Sequence, residues 1–257
     1  MRSIFIAAVA FLAACNQKPA NSTASLATDW SLENLKGKVK QVKSQTFIVD
    51  SVTGKTGALD QKTEEDFDDK GFAASYTESD SKDSMVTKQE FSHNGNGTFK
   101  GQTTTVNGKP KSSLQLEWDK NGKCTMARTY DSTGKQDSYF TDIVLNKFGQ
   151  PTSAKNYHMD KTPKMSFTND YDSLHYIGGN SKDSVGKTTY SAKITLDDKK
   201  NQARREEMTT DKGVTKNTVT TYIYDGWDNQ GNWTQQTVFS DKGKKIKIIK
   251  RVVEYLP

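Results

Sequence analysis

Hydrophobic and polar residues alternate along most of this chain with a period of two. Tyr222 and Tyr224 share a face opposite Thr221 and Ile223, and Lys245 and Lys247 oppose Ile246 and Ile248. Trp233, Gln235, Thr237 and Phe239 share another face. Val, Thr, Tyr and Phe dominate these segments and Pro is nearly absent, which is the chemistry of strands with two differing faces. A helical stripe shows only at Asp29-Trp30-Ser31-Leu32-Glu33-Asn34-Leu35, where Asp29 is expected to cap a single turn. The run from Ile4 to Ala14 is a different object: continuously apolar, preceded by the cation Arg2, and well short of the roughly 20 residues of a spanning helix.

Between the alternating segments a turn recurs. An aromatic or aliphatic residue is followed by a polar one, usually Asp, and then by Gly or Asn three residues on. Copies begin at Phe67-Asp68, Phe91-Ser92, Trp118-Asp119 and Leu145-Asn146, with weaker ones at Tyr171-Asp172 and Leu196-Asp197 and a longer one from Tyr224-Asp225 to Asn232. Their spacing is 24 to 28 residues. Half-way between them lies a second set, including Asn107-Gly108, Asp131 to Gly134, Asp211-Lys212-Gly213 and Asp241-Lys242-Gly243. Asp or Asn bonds its own backbone and Gly takes positive φ without a Cβ clash, so each period predicts two strands and two hairpin turns.

The fold expected over residues 29–257 is therefore all-β: a long antiparallel meander of about 14 strands. Flat, such a sheet would be roughly 65 Å wide. Twist makes that untenable, so a curled or barrel-like sheet is expected. The last strand, Ile246 to Tyr255, carries Lys247, Lys250 and Arg251. These charges are expected to guard an exposed edge. A binding surface made of Trp227, Lys247 and Lys250 is the alternative.

The Tyr-Asp…Gly-Asn grammar resembles the YD-repeat (RHS-like) proteins, and especially lipoproteins of that type from Bacteroidetes-like bacteria. The best match runs from Tyr224-Asp225 through Gly231-Asn232-Trp233 to Glu254-Tyr255, and Leu35-Lys36-Gly37-Lys38-Val39-Lys40 resembles the way such domains open. The resemblance spans roughly residues 30 to 257. It implies a β-shell, although about seven periods are few for enclosing another domain as the large family members do.

At the N-terminus, Leu12-Ala13-Ala14-Cys15 resembles the lipobox of bacterial lipoproteins. That resemblance implies a signal peptide over 1–14, acylation of Cys15, and a membrane partner reached through the lipid. Two or more chains are needed for stable anchoring. Residues 15–28, rich in Asn, Ser, Thr and Ala, read as a flexible tether. Asn16 rather than Asp after the cysteine, with no acidic cluster following, implies the outer membrane, facing the periplasm.

Composition adds limits. Hydrophobic residues make up 32% and charged ones 26%, too polar for a thick two-layer core and too aromatic for disorder. Net charge is +6, suited to anionic lipid or wall polymer and equally to plain solubility. With Cys15 acylated, Cys124 stands alone and reads as a small buried hydrophobe. His93, His158 and His175 have no metal-ligand spacing, and His93 is expected in a turn. Asp66 to Gly71 falls short of a calcium loop, with Lys70 where an oxygen is needed. Nucleophile elbows, phosphate loops and dinucleotide fingerprints are missing. Asp-Ser pairs at Ser51, Ser84, Ser132, Ser173 and Ser184 resemble an O-glycosylation motif and are also ordinary turn chemistry.

These readings lead to a non-catalytic envelope lipoprotein, a binding or structural module for a cell-envelope polymer or protein partner, with no catalytic residues, metal, cofactor or nucleic acid expected. An inhibitor or immunity lipoprotein against a toxin, and a glycan-active enzyme, are the alternatives.

Overall fold

The computed structural model describes residues 27–50, 53–95 and 97–257, so the expected signal peptide, Cys15 and most of the expected tether lie outside the described residues. Among the described residues one short helix, α1 (Asp29–Leu32), precedes sixteen strands. The first four are β1 (Val39–Val49), β2 (Thr56–Phe67), β3 (Ala73–Asp80) and β4 (Val86–His93). Next come β5 (Phe99–Val106), β6 (Lys109–Trp118), β7 (Cys124–Tyr130) and β8 (Gln136–Leu145). The third group is β9 (Pro151–His158), β10 (Pro163–Asp172), β11 (His175–Asp183) and β12 (Thr188–Leu196). The chain ends with β13 (Gln202–Asp211), β14 (Val214–Trp227), β15 (Trp233–Ser240) and β16 (Lys245–Tyr255).

Each strand pairs antiparallel with its neighbours in sequence, and β16 returns to β1 with Ser44 opposite Arg251 and Gln45 opposite Lys250. The meander is thus a closed barrel. This corrects two expectations: the strands number sixteen rather than about 14, and the last strand is no exposed edge, because β1 takes up its hydrogen bonds.

The repeat maps onto the barrel's two ends. Turns 68–72, 94–98, 119–123, 146–150, 197–201 and 228–232 lie at the end where the chain enters and leaves. The half-way turns lie at the other. In the five-residue turns the backbone bonds are constant, and in most of them the side chain of the turn's first residue adds its own. The Asp119 N–H donates to Lys123 O and Gly122 N–H to Asp119 O, while Asp119 Oδ1 accepts from Asn121 N and Lys123 N. The copy at Leu196 lacks glycine, so Lys200 itself adopts φ 66° there; the copy at Tyr171 shortens to Ser173-Leu174, with Ser173 at φ 58°. The pattern also shifts at two copies. The turn acceptors are Asn94 and Asp228, so their lead residues are His93 and Trp227 rather than Phe91 and Tyr224. His93 therefore ends a strand, not a turn, and its ring packs 5.0 Å from Phe72 and 5.7 Å from Phe99.

Strand register assigns the two faces. Glu65, Tyr76, Gln89, Thr104 and Ser112 face one another across β2 to β6 and form a row on the inner wall. Gln115, Arg128, Tyr139 and Tyr157 form a row on the outer wall, where the two tyrosine rings stack at 5.7 Å. Outer-wall charges pair with one another, as in Lys43–Glu254 at 2.9 Å, Lys88–Glu90 at 2.8 Å and Arg204–Glu206 at 3.2 Å. Each exposed pair contributes little to stability. Their weight is in what they say of the surroundings: this wall is built for water.

The apolar core gathers at the α1 end. Leu35, Val39, Val42, Phe67 and Ala73 form one cluster with Trp30 against it; Phe99, Leu114, Leu116, Cys124 and Ala127 form a second. Cys124 is buried as expected, and burial pushes its thiol up to about 12, which leaves it unreactive.

Candidate functional site: the lumen and its plug

A sixteen-stranded barrel is too wide for its inner side chains to fill, and so it encloses water unless something plugs it. Here α1 and the residues after it cross one mouth. Thr28, not Asp29, caps the helix, its Oγ1 accepting from Ser31 N at 3.4 Å. Asp29 is buried and accepts from Ala73 N at 2.7 Å. Trp30 N donates to Gly71 O and its Nε1 to Val39 O. On the far side of the mouth, Asn34 Nδ2 donates to Lys199 O at 2.6 Å, and Asn232 bridges Lys36 N, Lys36 O and the Tyr255 hydroxyl. The plug is therefore hydrogen-bonded to turns from opposite sides of the barrel.

Glu33 hangs from this plug. Protein surrounds its carboxyl, yet water reaches it, a combination that requires a wet internal space. It interacts with Glu65 on the inner wall, and enclosure raises both carboxyls above the usual range. Arg251 lies close enough to both to favour their ionised forms. Its Nε donates to Trp233 O at 2.9 Å and its guanidinium sits 3.7 Å from the Trp233 ring centre. Burial pulls Arg251 down to about 10, which leaves it charged at neutral pH. Tyr224 completes the group, its ring 5.6 Å from Trp233.

A second polar cluster lines the wall at β12 and β13. Arg205 Nη2 donates to the Tyr190 hydroxyl at 2.9 Å and to Glu207 Oε1 at 2.6 Å, and the Tyr190 hydroxyl donates to Glu207 Oε1 at 3.0 Å. Burial raises the Tyr190 hydroxyl above its ordinary range. The lumen thus offers aromatic faces beside fixed charges, an arrangement able to hold a polar ligand with ring or sugar-like surfaces.

The residues singled out in the sequence do not converge. Trp227 is partly exposed at the plugged end, with Lys199 Nζ 3.6 Å from its ring centre and Tyr224 beside it. Lys250 lies over the Phe47 ring at 5.7 Å, and Lys247 bonds to Asp60 at 3.1 Å. Three residues apart on one strand, the two lysines point to opposite faces. Cys15 lies outside the described residues, as does Ser51. Ser84, Ser132 and Ser184 stand exposed in turns at the open end. Sequence reasoning missed Glu65, Arg205 and Glu207 and took Arg251 for an edge charge. Among the described residues no group of three His, Cys, Asp or Glu is placed to hold a metal.

No protein-family model matches the chain, and no curated protein is similar to it in sequence. Among solved structures, the barrel is similar to a porin-like protein from Bacteroides uniformis, with 10% identity and a TM-score of 0.54 over 91% of this chain and 100% of that one. A porin-like protein from Bacteroides vulgatus is a more distant match, at 13% identity and a TM-score of 0.34 over 85% of this chain and 98% of that one. At such identity the first match speaks for the fold, a closed barrel, and for that alone.

Proposed function

We propose that this chain is a lipid-anchored protein of the cell envelope, held through Cys15 at the periplasmic face of the outer membrane, whose barrel binds an envelope polymer or protein partner without catalysis. The observation that carries this reading is the contrast between the walls. A barrel that crosses a bilayer presents an apolar band about 25 Å tall with aromatic girdles. This one presents Lys43–Glu254, Lys88–Glu90 and Arg204–Glu206 on its outside and keeps a wet, partly charged interior. A barrel so built stands in water, and a lipid at Cys15 would supply the attachment that its wall does not. The porin-like likeness supports an envelope setting without supporting a pore.

The Glu33–Glu65 pair is the one feature that favours a glycan-active enzyme. Its geometry argues against that, because glycosidase carboxyls stand at least about 5 Å apart, and these two touch.

The test has two arms. Palmitate labelling of cells expressing the full chain is expected to mark the protein and to fail for Cys15→Ser; labelling that survives this substitution overturns the anchor. Affinity capture from detergent-solubilised envelope, with the barrel from Ala27 as bait, is expected to recover one stoichiometric partner or glycan and to lose it with Arg205→Ala. Empty capture with both baits overturns the binding reading.

A further inference from the structure

The barrel end opposite the plug has an unusual tip chemistry. Seven of its eight turns carry an exposed lysine, from Lys55 in the first to Lys242 and Lys244 in the last, and at the third the exposed Lys109 opens β6 directly after Asn107-Gly108. Among the described residues none of them makes an ion pair. The same turns also carry acids: Asp80 and Asp131 accept from the turn backbone, Asp83 pairs with Lys62 at 2.7 Å, and Asp211 and Asp241 are exposed. Asp160 Oδ1 accepts from Thr162 N at 2.9 Å and from its hydroxyl, and Asp183 Oδ1 accepts from Val185 N and Lys187 N. Apolar tips stand among the lysines. In three successive turns along the rim, Met159 is 50% exposed, Val185 85% and Val214 72%. Turn tips in water favour small polar residues, and a lone exposed Val needs no explanation, but three on neighbouring turns ringed by free lysines do.

We infer that this rim is a docking surface for an anionic lipid bilayer, with Met159, Val185 and Val214 entering the acyl boundary and the rim lysines held at the phosphates. The rim lysines slightly outnumber the acids of the same hairpins and favour a polyanion. The apolar tips choose lipid, because only a bilayer offers hydrocarbon immediately beneath its anionic layer. The docked rim would turn the lumen's open mouth towards the membrane. This surface is independent of the Cys15 anchor and of the lumen ligand.

The barrel from Ala27 to Pro257 contains every strand of the closed sheet and is tested by flotation with vesicles of phosphatidylglycerol and phosphatidylethanolamine against neutral phosphatidylcholine. Binding to the anionic vesicles alone is expected, weakening as salt rises. Each rim lysine near an anionic surface is worth about five-fold, so Lys161→Gln, Lys187→Gln, Lys212→Gln together should weaken binding roughly 100-fold. Lys70→Gln, Lys120→Gln, Lys147→Gln, at the plugged end, should leave it unchanged. The decisive variant is Met159→Ser, Val185→Ser, Val214→Ser, which keeps every charge. It is expected to lose vesicle binding at least ten-fold while retaining wild-type affinity for heparin as a soluble polyanion. Equal vesicle binding by this variant, or equal binding to neutral vesicles, overturns the proposal. As a separate readout, a fluorophore on Val185→Cys should shift to the blue on vesicles, and no shift overturns insertion. The labelling is selective because Cys124 is buried.

Discussion

The two ends of the barrel are made from the same hairpin turns and have become different objects. At the plugged end the turns hold a lid: Gly71 lies against Trp30, Asn232 grips Lys36, and two apolar clusters fill the space below. At the open end the turns touch little but solvent. Gly134, Gly186, Gly213 and Gly243 would accept a Cβ with nothing within 4 Å, and Val185 is 85% exposed. Local turn chemistry therefore does not decide what a turn is for. What packs behind it does, and the stability of this fold is concentrated at one end while the other is left free to change.

The strongest way to break that contrast is to cut into the packed end. Phe99 is fully buried in the second cluster. Phe99→Ala should cost about 3–5 kcal/mol, lowering Tm by roughly 10 °C, whereas Val185→Ser should stay within about 0.5 kcal/mol. Comparable losses from both in thermal unfolding would show the ends to be equally structural.

The next effect is on pH. Burial raises Asp29 to about 7, its hydrogen bond from Ala73 N only partly opposing the shift. Between about pH 4 and 7 the unfolded chain has released a proton that the folded chain still holds. Stability therefore falls as pH rises through that window and levels off above it. The fall attributable to Asp29 is at most about 4 kcal/mol. Glu33 and Glu65, raised by enclosure, act in the same direction. Asp29→Asn keeps an acceptor for Ala73 N and should flatten the slope of urea midpoint against pH. An unchanged slope would mean that Asp29 is ionised in the folded barrel and that the plug tolerates its charge.

How much of this was legible in advance follows from the range of each interaction. The strands and both sets of turns could be read because their causes lie within a few residues: Asp119 bonds N–H groups two and four residues on. The turns lacking glycine still place one residue at positive φ, Lys200 in a five-residue turn and Ser173 in a two-residue one. A curled or barrel-like sheet followed from its width and twist, but the pairing of β1 with β16 that closes it could not be read, because it depends on twist accumulated over the whole sheet. The plug could not be read either, since Asn34 reaches Lys199 and Asn232 reaches Lys36 across most of the chain. Period two separates two faces but names neither as inside when both are polar. Glu65 and Arg205 could therefore not be told from charges on a solvated wall, and Arg251 was expected to guard an edge. The odd spacing of Lys247 and Lys250, by contrast, already placed them on opposite faces.

The smallest effect is also the sharpest comparison, because it sets two equivalent turn positions against each other. Gly71 at the plugged end has φ +88° and Gly186 at the open end φ +83°, so an added Cβ carries nearly the same backbone penalty in both, about 1–2 kcal/mol. Only their surroundings differ. A Cβ on Gly71 would stand 2.5 Å from the Trp30 ring, while one on Gly186 would meet nothing within 4 Å. The Trp30 ring cannot simply move aside, since its Nε1 donates to Val39 O and its body packs on the first apolar cluster. Gly71→Ala should therefore exceed Gly186→Ala by about 2 kcal/mol, the usual cost of overpacking. It should also speed hydrogen exchange at Trp30 N, which donates to Gly71 O. Equal losses would mean that the plug shifts without resistance, and that the packed end owes its order to the strands beneath it rather than to the lid.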